Sequence, residues 1–232
     1  MTRIVLVRHC EAQGNTLGLI QGRTDSEVSG NSGVQLELVS LRLRNTPFTA
    51  IYSSPLKRAY KTAQAINRYH NLSIRTDPRL IEIDVGSWEG RSWESIQTEN
   101  SDLFKLWKET PSEFAAEKGE SMRQVADRMW EAVADIVRGN PGGTVCVTSH
   151  GCAIRCFLCL ALQKPFKELG NVDWCDNTAI SVIDYDEKGK PRVVRMNDAS
   201  HIAPELSVYR RSGEEDWNPE SSFAVPERSE EL

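Results

Sequence analysis

Three short, continuous runs of apolar residues stand out along the chain, and the first and third of them are rich in valine. They cover residues 3–9 (RIVLVRH), 48–54 (FTAIYSS) and 144–150 (TVCVTSH). Uninterrupted runs of this length are typical of strands that are covered on both faces, as in a parallel sheet. The first run ends at His9 and the third at His150, and the chain has only 4 histidines. The pattern therefore predicts two buried strands that carry a histidine at matching ends.

Helical periodicity alternates with these strands. Apolar residues recur at helical spacing in residues 34–45, 56–70 and 121–139, and the last of these segments stops at GNPGG. Because strands and helices alternate, we expect an α/β sandwich with a largely parallel sheet. Residues 178–198 break the alternation, since two strand-like runs flank DEKGK and predict a terminal hairpin. No internal repeat of about 20 to 50 residues is visible, which argues against a solenoid.

The length and the apolar content suit one large domain. The chain has 232 residues, of which 39% are hydrophobic, enough to bury a substantial core. We place the domain at residues 1–211. From residue 212 the sequence is acidic, carries two prolines and loses its apolar periodicity, so residues 212–232 are predicted to form a mobile tail. Trp217 and Phe223 leave open the alternative that the tail docks on the body or on a neighbouring subunit.

Charge and hydropathy narrow the class of partner. The net charge is -5 and the sequence pI is about 5.5, which argues against a protein that binds nucleic acid. No apolar stretch reaches the length of a signal-peptide core or the roughly 20 residues of a membrane span. We therefore expect a cytoplasmic protein that acts on a small molecule, with neither nucleic acid nor a membrane as partner. A homodimer is left open.

The 6 cysteines are expected to be free thiols in that compartment. Cys152, Cys156 and Cys159 follow one another at i, i+4 and i+7, so they could share a helix face and bind a soft metal. The apolar residues between them and the lack of paired C-x-x-C motifs favour ordinary core packing instead. The sequence therefore predicts no metal site.

Four polar segments lie at or just beyond the predicted strand ends. In open α/β sheets, ligands bind outside the carboxyl ends of the strands. Together the segments provide two histidines, arginines, carboxylates and, at Gly151, the start of a helix. This combination suits the binding of a dianion such as a phosphoryl group. The segments are RHCEAQGN (8–15), SSPLKRA (53–59), LIEIDVGSWEG (80–90) and SHGCAIR (149–155).

Phosphate chemistry explains this mixture of residues. Arg8 and Arg58 could bind phosphoryl oxygens through their guanidinium groups, while amides at the helix start near Gly151 add further donors. A neutral imidazole of His9 or His150 could attack phosphorus and carry it as a phosphohistidine. The other imidazole would then donate hydrogen bonds to the phosphoryl oxygens. The residues alone leave open which histidine attacks.

The reaction also needs a proton donor. A departing alkoxide requires a proton, which a carboxylic acid such as Glu82 could give before it takes a proton from the attacking water. Glu11, Asp84 and Glu89 are rivals by composition. The chain has no run of closely spaced aspartates, no H-E-x-x-H and no Walker-type loop, so no metal and no other cofactor is predicted.

Taken in order, these motifs resemble those of the histidine phosphatase superfamily, also called the phosphoglycerate mutase-like family. RHCEAQGN is similar to RHGxTxxN, and QGRTDSEVSGNSGVQ to QGxxDxxLTxxGxxQ. YSSPLKRAYKTA is similar to SSxLxRAxxTA and LIEIDVGSWEG to LxExxxGxWEG, and GESM and SHG follow in the family's order. The resemblance covers about residues 3–200. It implies a three-layer sandwich in which helices flank a mixed, mostly parallel six-stranded sheet.

The resemblance also implies a role for each matching position. His9 would be the nucleophile and Glu82 the proton donor. Gln21 would lie beside the phosphate as a further substrate-binding residue. The phosphate pocket itself would be formed by Arg8, Asn15, Arg58, His150 and the amide of Gly151.

Two positions depart from the family pattern. Cys10 stands where the family has glycine, and Ala12 stands where it has threonine or serine. The loop has thus lost a hydroxyl and gained a side chain beside the expected phosphate, so activity or specificity can differ. A low-pKa thiol at Cys10 is an alternative to a simple packing substitution.

Other residues are expected to be structural. His201, in NDASHI, resembles a late family motif, but we expect a structural hydrogen bond rather than catalysis. Trp88, Trp93 and Trp107 are expected to pack in the core, with the roof of the pocket as the alternative.

The sequence thus predicts a metal-independent phosphomonoesterase that works through a phosphohistidine on a small phosphorylated metabolite. This is a phosphoric monoester hydrolase of the histidine acid phosphatase type. A phosphoglycerate mutase is the main alternative, although classical mutases resemble FTGWxDxxL where this chain has IQGRTDSEV (20–28). A non-catalytic phosphate-binding protein is a third hypothesis, motivated by Cys10 and Ala12. The retention of both histidines, both arginines and Glu82 argues against it.

Overall fold

A mixed sheet forms the centre of the computed structural model, which describes residues 1–209 of the chain. Numbered along the chain, its strands are β1 (Thr2–Arg8), β2 (Ala50–Ser53), β3 (Ile74–Thr76), β4 (Thr144–Ser149), β5 (Ile180–Tyr185) and β6 (Pro191–Asp198). Their order across the sheet is β3-β2-β4-β1-β5-β6. The first four positions are parallel, and β5 runs antiparallel to both of its neighbours. The mostly parallel six-stranded sheet and its terminal hairpin are therefore confirmed.

Helices occupy most of the connections between the strands. The periodicity at 34–45, 56–70 and 121–139 corresponds to three helices, α2 (Ser32–Leu43), α3 (Lys57–Asn67) and α6 (Met122–Gly139), within a few residues at each end. β3, α4 and α5 were not predicted, because β3 has only 3 residues with partly or fully exposed side chains and α4 and α5 are short. The helices are α1 (Gln13–Thr16), α2 (Ser32–Leu43), α3 (Lys57–Asn67), α4 (Trp93–Glu99), α5 (Ser101–Glu109), α6 (Met122–Gly139) and α7 (Gly151–Ala161).

The alternation of side chains along β1 shows why the sheet is covered on both faces. Ile4 and Leu6 belong to a large apolar cluster that includes residues of α6 and α7. Val5 and Val7 point the other way, into a smaller cluster with residues of α2 and α3. Because successive side chains of a strand point to opposite faces, a continuous apolar run requires a helical layer on each side. The result is the three-layer sandwich.

An aromatic cluster joins α4 and α5 to the body. The ring of Trp107 lies 6.1 Å from that of Trp88, 5.5 Å from Trp93 and 5.0 Å from Phe114. It also stacks on Trp174, with 5.8 Å between ring centroids. Trp88 and Trp107 are buried, so core packing is their main role.

The described residues end before the predicted tail at 212–232, and this part of the domain division stays a prediction. Within residues 1–209, no helix is long and apolar enough to cross a membrane.

Candidate active site

The register between β1 and β4 brings the two strand-end histidines together. Arg8 pairs with Ser149 in the parallel ladder, and the His9 amide donates to the Ser149 carbonyl at 2.9 Å. The next residues, His9 and His150, therefore leave the sheet side by side. Their ring centroids are 5.0 Å apart, and both residues are buried.

The hydrogen bonds of His9 define which ring nitrogen is free. Its Nδ1 lies 2.6 Å from the carbonyl oxygen of Cys10. A carbonyl only accepts, so Nδ1 carries the hydrogen and Nε2 keeps its lone pair. No partner for Nε2 is found among residues 1–209. Burial, with the charges of Arg58 and Arg8, lowers the pKa of His9 well below its usual value.

His150 has the opposite arrangement. Arg58 donates from Nε to His150 Nδ1 at 3.2 Å, and an arginine cannot accept, so Nδ1 is unprotonated. Nε2 then carries the hydrogen and donates to Ser54 Oγ at 2.7 Å. Burial and the charge of Arg58 lower the pKa of His150 well below its usual value. Both imidazoles are therefore neutral when the site is empty.

Arg58 lies in the first turn of α3 and is 1% exposed. Besides its bond to His150, it donates from Nη1 to the Thr24 carbonyl at 2.8 Å and from Nη2 to the Gly22 carbonyl at 2.9 Å. Glu89 holds this loop in place by accepting from the amides of Gly22, Arg23 and Thr24. Glu89, a rival for the proton donor, is thus engaged in loop structure.

Arg8 ends β1 and lies against the start of α7. Its Nη1 donates to the Cys175 carbonyl at 2.5 Å and to the Tyr209 hydroxyl at 3.2 Å. Its Nε is buried without a partner in the described chain. A Cβ atom added at Gly151 would lie 3.4 Å from that Nε, so the glycine leaves room beside the guanidinium. An unsatisfied, buried cationic donor is suited to an incoming anion.

Glu82 docks on the N-terminus of α7. Its Oε2 accepts from the Cys152 amide at 3.1 Å, and its Oε1 accepts from the amides of Ala153 and Ile83, both at 3.0 Å. Here the structure differs from the sequence-based expectation that amides at this helix start are open to phosphate. Two of them hold Glu82 instead, and the role of the Gly151 amide stays a prediction.

The remaining carboxylates that rivalled Glu82 have structural surroundings. Glu11 is 0% exposed and accepts from the hydroxyl of Thr16 at 2.8 Å. Asp84 accepts from the Gly86 amide at 3.0 Å. Among the four candidates, Glu82 is therefore the one that is buried at the start of α7, within electrostatic range of both Arg8 and Arg58.

Asn15 and Gln21 lie in the loop that comes after β1. The Asn15 side-chain oxygen accepts from the Ala12 amide at 3.0 Å, which fixes the turn into α1. Gln21 donates to Ser26 at 2.7 Å, and its side chain packs so closely on Gly14 that no Cβ would fit there. Neither side chain is hydrogen-bonded to the two histidines, and their substrate-binding roles stay predictions.

Cys10 is a packing residue. Its thiol lies 3.8 Å from the Arg58 carbonyl, and its amide donates to Thr62 at 2.9 Å, so the residue faces α3. Burial raises the pKa of its thiol to about 11. The expectation of a side chain beside the phosphate and the alternative of a low-pKa thiol are therefore both wrong.

Two of the structural expectations hold. His201 lies 3.1 Å from the Thr178 hydroxyl, and burial lowers its pKa to about 4. All 6 cysteines are buried and free. Within residues 1–209, no group of three or more His, Cys, Asp or Glu side chains could hold a metal ion.

Three residues near the site escaped the sequence reasoning. Ser54 lies within the SSPLKRA segment, and its partnership with His150 could have been suspected from that motif. The Cys175 carbonyl and the Tyr209 hydroxyl, which both contact Arg8, carry no sequence signal, because they come from segments distant along the chain.

A neutral histidine with a free ring nitrogen, facing arginines at the carboxyl ends of a mostly parallel sheet, is the arrangement of enzymes that transfer phosphoryl groups through histidine. A family model described as the histidine phosphatase superfamily (branch 1) matches residues 4–199. The chain belongs to this superfamily.

Named relatives include both phosphatases and mutases. Phosphoserine phosphatase 1 of Hydrogenobacter thermophilus is 32% identical over 202 residues, which cover 87% of this chain and 95% of that protein. A probable phosphoglycerate mutase GpmB of an Enterobacter species is 32% identical over 216 residues, covering 91% and 100%. Among solved structures, Bacillus stearothermophilus YhfR superposes with a TM-score of 0.83 at 29% identity, covering 88% and 100%.

Proposed function

We propose that this protein is a metal-independent phosphomonoesterase that acts on a small phosphorylated metabolite through a phosphohistidine at His9. The observation that carries the proposal is the tautomer of His9, because the bond from Nδ1 to Cys10 leaves the Nε2 lone pair free. That nitrogen belongs to a side chain whose pKa is lowered by burial and two arginines, so it is neutral and nucleophilic at neutral pH.

In the first step, His9 Nε2 attacks phosphorus. The P–N bond forms as the ester P–O bond breaks, and the departing alkoxide takes a proton from the carboxyl group of Glu82. Arg8 and Arg58 bind the phosphoryl oxygens, and His150 shares its Nε2 hydrogen between one of them and Ser54, which keeps the ring oriented.

In the second step, water hydrolyses the phosphohistidine. Glu82, now a carboxylate, takes a proton from the water as its oxygen bonds to phosphorus. The P–N bond breaks, inorganic phosphate leaves, and His9 returns to its neutral state. The cycle is that of a phosphoric monoester hydrolase of the histidine acid phosphatase type, and none of its steps requires a metal.

Phosphoserine is the first substrate to test, because the relative from Hydrogenobacter thermophilus is named as a phosphoserine phosphatase. The protein, treated with a chelator, should be assayed for phosphate release from phosphoserine, 3-phosphoglycerate, sugar phosphates and p-nitrophenyl phosphate. We expect hydrolysis to persist after chelation and one small ester to be preferred. Phosphate binding without any hydrolysis would instead favour a non-catalytic protein.

Phosphoglycerate mutase activity is the second candidate, favoured by the similarity to a probable mutase. A mutase would return the phosphoryl group of His9 to a second hydroxyl instead of to water. Conversion of 3-phosphoglycerate to 2-phosphoglycerate, primed with bisphosphoglycerate, tests this directly. A mutase rate above every hydrolysis rate would replace the phosphatase proposal.

The cellular setting is also part of the proposal. Buried free cysteines fit a reducing compartment such as the cytoplasm. A small phosphorylated substrate, without nucleic acid or membrane, is the proposed partner. Sedimentation at several concentrations would decide whether a homodimer forms.

A further inference from the structure

Arg128 lies on α6, and each of its guanidinium hydrogens is donated in a hydrogen bond. Its Nη1 donates to the carbonyls of Arg79 at 2.8 Å and Ile81 at 2.6 Å. Its Nη2 donates to the Glu82 carbonyl and to Glu120 Oε2, both at 3.0 Å, and Nε donates to Glu120 Oε1 at 2.8 Å. A guanidinium has five N–H donors, so these five bonds use all of them.

Glu120 binds the backbone on the C-terminal side of Glu82. Its Oε2 also accepts from the Asp84 amide at 2.9 Å, and its own amide donates to the Asp84 carbonyl at 2.8 Å. Burial alone would raise the pKa of Glu120, but bonds from Arg128 and the Asp84 amide lower it. The carboxylate is therefore charged at neutral pH and holds Arg128 in place.

These contacts fix a segment of backbone that has no regular secondary structure. Residues 81–85 belong to neither a helix nor a strand, so no regular ladder fixes the backbone that carries Glu82. Arg128 and Glu120 bind that backbone at 79, 81 and 82 on one side and at 84 on the other. Backbone groups outside regular structure need such partners when they are buried.

We propose that Arg128, held by Glu120, is the positioning residue that sets the backbone of Glu82 for proton transfer to the leaving group. Arg128 is hydrogen-bonded to neither of the two histidines and to neither Arg8 nor Arg58. Its charge also lowers the pKa of His150, and a lysine at this position keeps that charge, so Arg128→Lys tests the hold on the Glu82 backbone alone. The inference rests on the proposed role of Glu82 as proton donor.

A link to the other side of the site supports this role. Arg23 donates from Nη2 to Glu120 Oε2 at 3.0 Å, and Arg23 lies between Gly22 and Thr24, whose carbonyls hold Arg58. Glu120 thus ties the segment of the proton donor to the loop that supports the phosphate-binding arginine.

The test compares two esters that differ in their need for a proton. Phosphoserine, or the best alkyl ester of the panel, has a poor leaving group, whereas p-nitrophenyl phosphate leaves as a stable phenolate without protonation. The quantity to measure is kcat/KM, which covers only the steps up to departure of the leaving group. Arg128→Lys keeps the charge but has too few donors in the wrong geometry to hold the segment.

For Arg128→Lys we expect kcat/KM to fall by up to about 100-fold on the alkyl ester and by only a few-fold on p-nitrophenyl phosphate. Glu120→Gln should show the same selectivity and serves as the second variant if Arg128→Lys does not fold. Arg123→Lys is the matched control, because Arg123 lies on the same helix in an exposed pair with Asp127. It should change neither rate.

Glu82→Gln distinguishes a failure of the proposed proton-donor role of Glu82 from a failure of the proposed positioning role of Arg128. It should lose about 100-fold or more on the alkyl ester and much less on the nitrophenyl ester. Equal losses on both esters for Glu82→Gln would overturn the role of Glu82 and the present inference with it. If Glu82→Gln is selective but Arg128→Lys and Glu120→Gln lower both rates equally, or neither, only the positioning role is wrong.

Discussion

β1 and β4 lie side by side, and each is followed directly by a buried histidine, yet the two rings are held in opposite tautomers. His9 gives its Nδ1 hydrogen to the adjacent carbonyl of Cys10. His150 accepts at Nδ1 from Arg58 and gives its Nε2 hydrogen to Ser54. One ring therefore presents a lone pair and the other an N–H.

The difference arises from the segment that each strand leads into. After β4 the chain enters α7 at once, and the His150 carbonyl accepts the first helical bond from Ile154. After β1 the chain enters an irregular loop, which turns the Cys10 carbonyl toward the His9 ring. Two similar sequences thus acquire different tautomers from their local backbone, and this difference supports the proposed roles of His9 in attack and of His150 in hydrogen-bond donation.

The largest effect should come from His9→Ala. Loss of the nucleophile should lower kcat by more than about 10⁴-fold, while binding of inorganic phosphate persists because the arginines remain. Steady-state kinetics and trapping of an acid-labile phosphohistidine measure this. His70→Gln is the control, since His70 packs against Phe48 at a distance from the site. Nearly full turnover in His9→Ala would show that the attacking group lies elsewhere.

His150→Ala should cost less. Removal of one donor to the transition state typically lowers the rate by about 10²- to 10³-fold, and a phosphohistidine should still accumulate slowly on His9. Quench-flow with labelled substrate and mass spectrometry would locate the phosphoryl group. If His150→Ala abolishes the phosphohistidine while His9→Ala retains it, the two assignments must be exchanged.

Both histidines should also lower the stability of the protein at acidic pH. Their pKa values are lowered in the folded state, whereas the unfolded chain binds protons below pH about 6.5. The free energy of unfolding should therefore fall as the pH drops below that value, by about 1.4 kcal/mol per pH unit for each histidine. Denaturant unfolding in phosphate-free buffer between pH about 7 and 5 measures the slope.

Single replacement of either ring should reduce this slope by the contribution of one group. His201, whose pKa is lowered to about 4, contributes over the same range, so His201→Gln is a reference for a histidine outside the site. A slope unchanged in His9→Ala and His150→Ala would show that their rings are protonated in the empty protein.

The smallest effect is expected for Ser54→Ala. Loss of one hydrogen bond of about 1 kcal/mol to the His150 ring should lower kcat/KM roughly fivefold, because the ring loses a fixed orientation. Ser53→Ala is the matched control, since Ser53 bonds to the Ser54 carbonyl and to Thr148 rather than to the ring. Equal losses in the two variants would mean that Ser54 acts only through stability.

The pattern of strands and helices was enough to predict an α/β sandwich with a largely parallel sheet and the meeting of His9 and His150, whereas the six-stranded mixed sheet was implied by the family resemblance. Continuous apolar runs define strands buried on both faces, and the carboxyl ends of such parallel strands share one edge of the sheet. Arg58 and Glu82 could be predicted because they lie in motifs with fixed spacing to those strands.

The details of the site could not be predicted, because they depend on distances between segments that are remote in sequence. Cys10 was expected beside the phosphate, but its side chain points toward α3. Amides at the helix start near Gly151 were expected to bind phosphate, but those of Cys152 and Ala153 donate to Glu82. Neither outcome can be deduced from periodicity or composition.

The buried charges of Arg8 and Arg58 also have a consequence for the stability of the fold. Within residues 1–209 neither forms a salt bridge with a carboxylate, and their hydrogen-bond partners are carbonyls, a hydroxyl and a ring nitrogen. Burial lowers the pKa of Arg58, so its buried charge opposes folding unless an anion is bound beside it. Inorganic phosphate, the product of the proposed reaction, supplies that anion and should raise the melting temperature with its concentration. Product inhibition and protection against unfolding would then result from the same binding of phosphate. A high phosphate concentration would therefore lower the rate of the proposed reaction and raise the stability of the protein together.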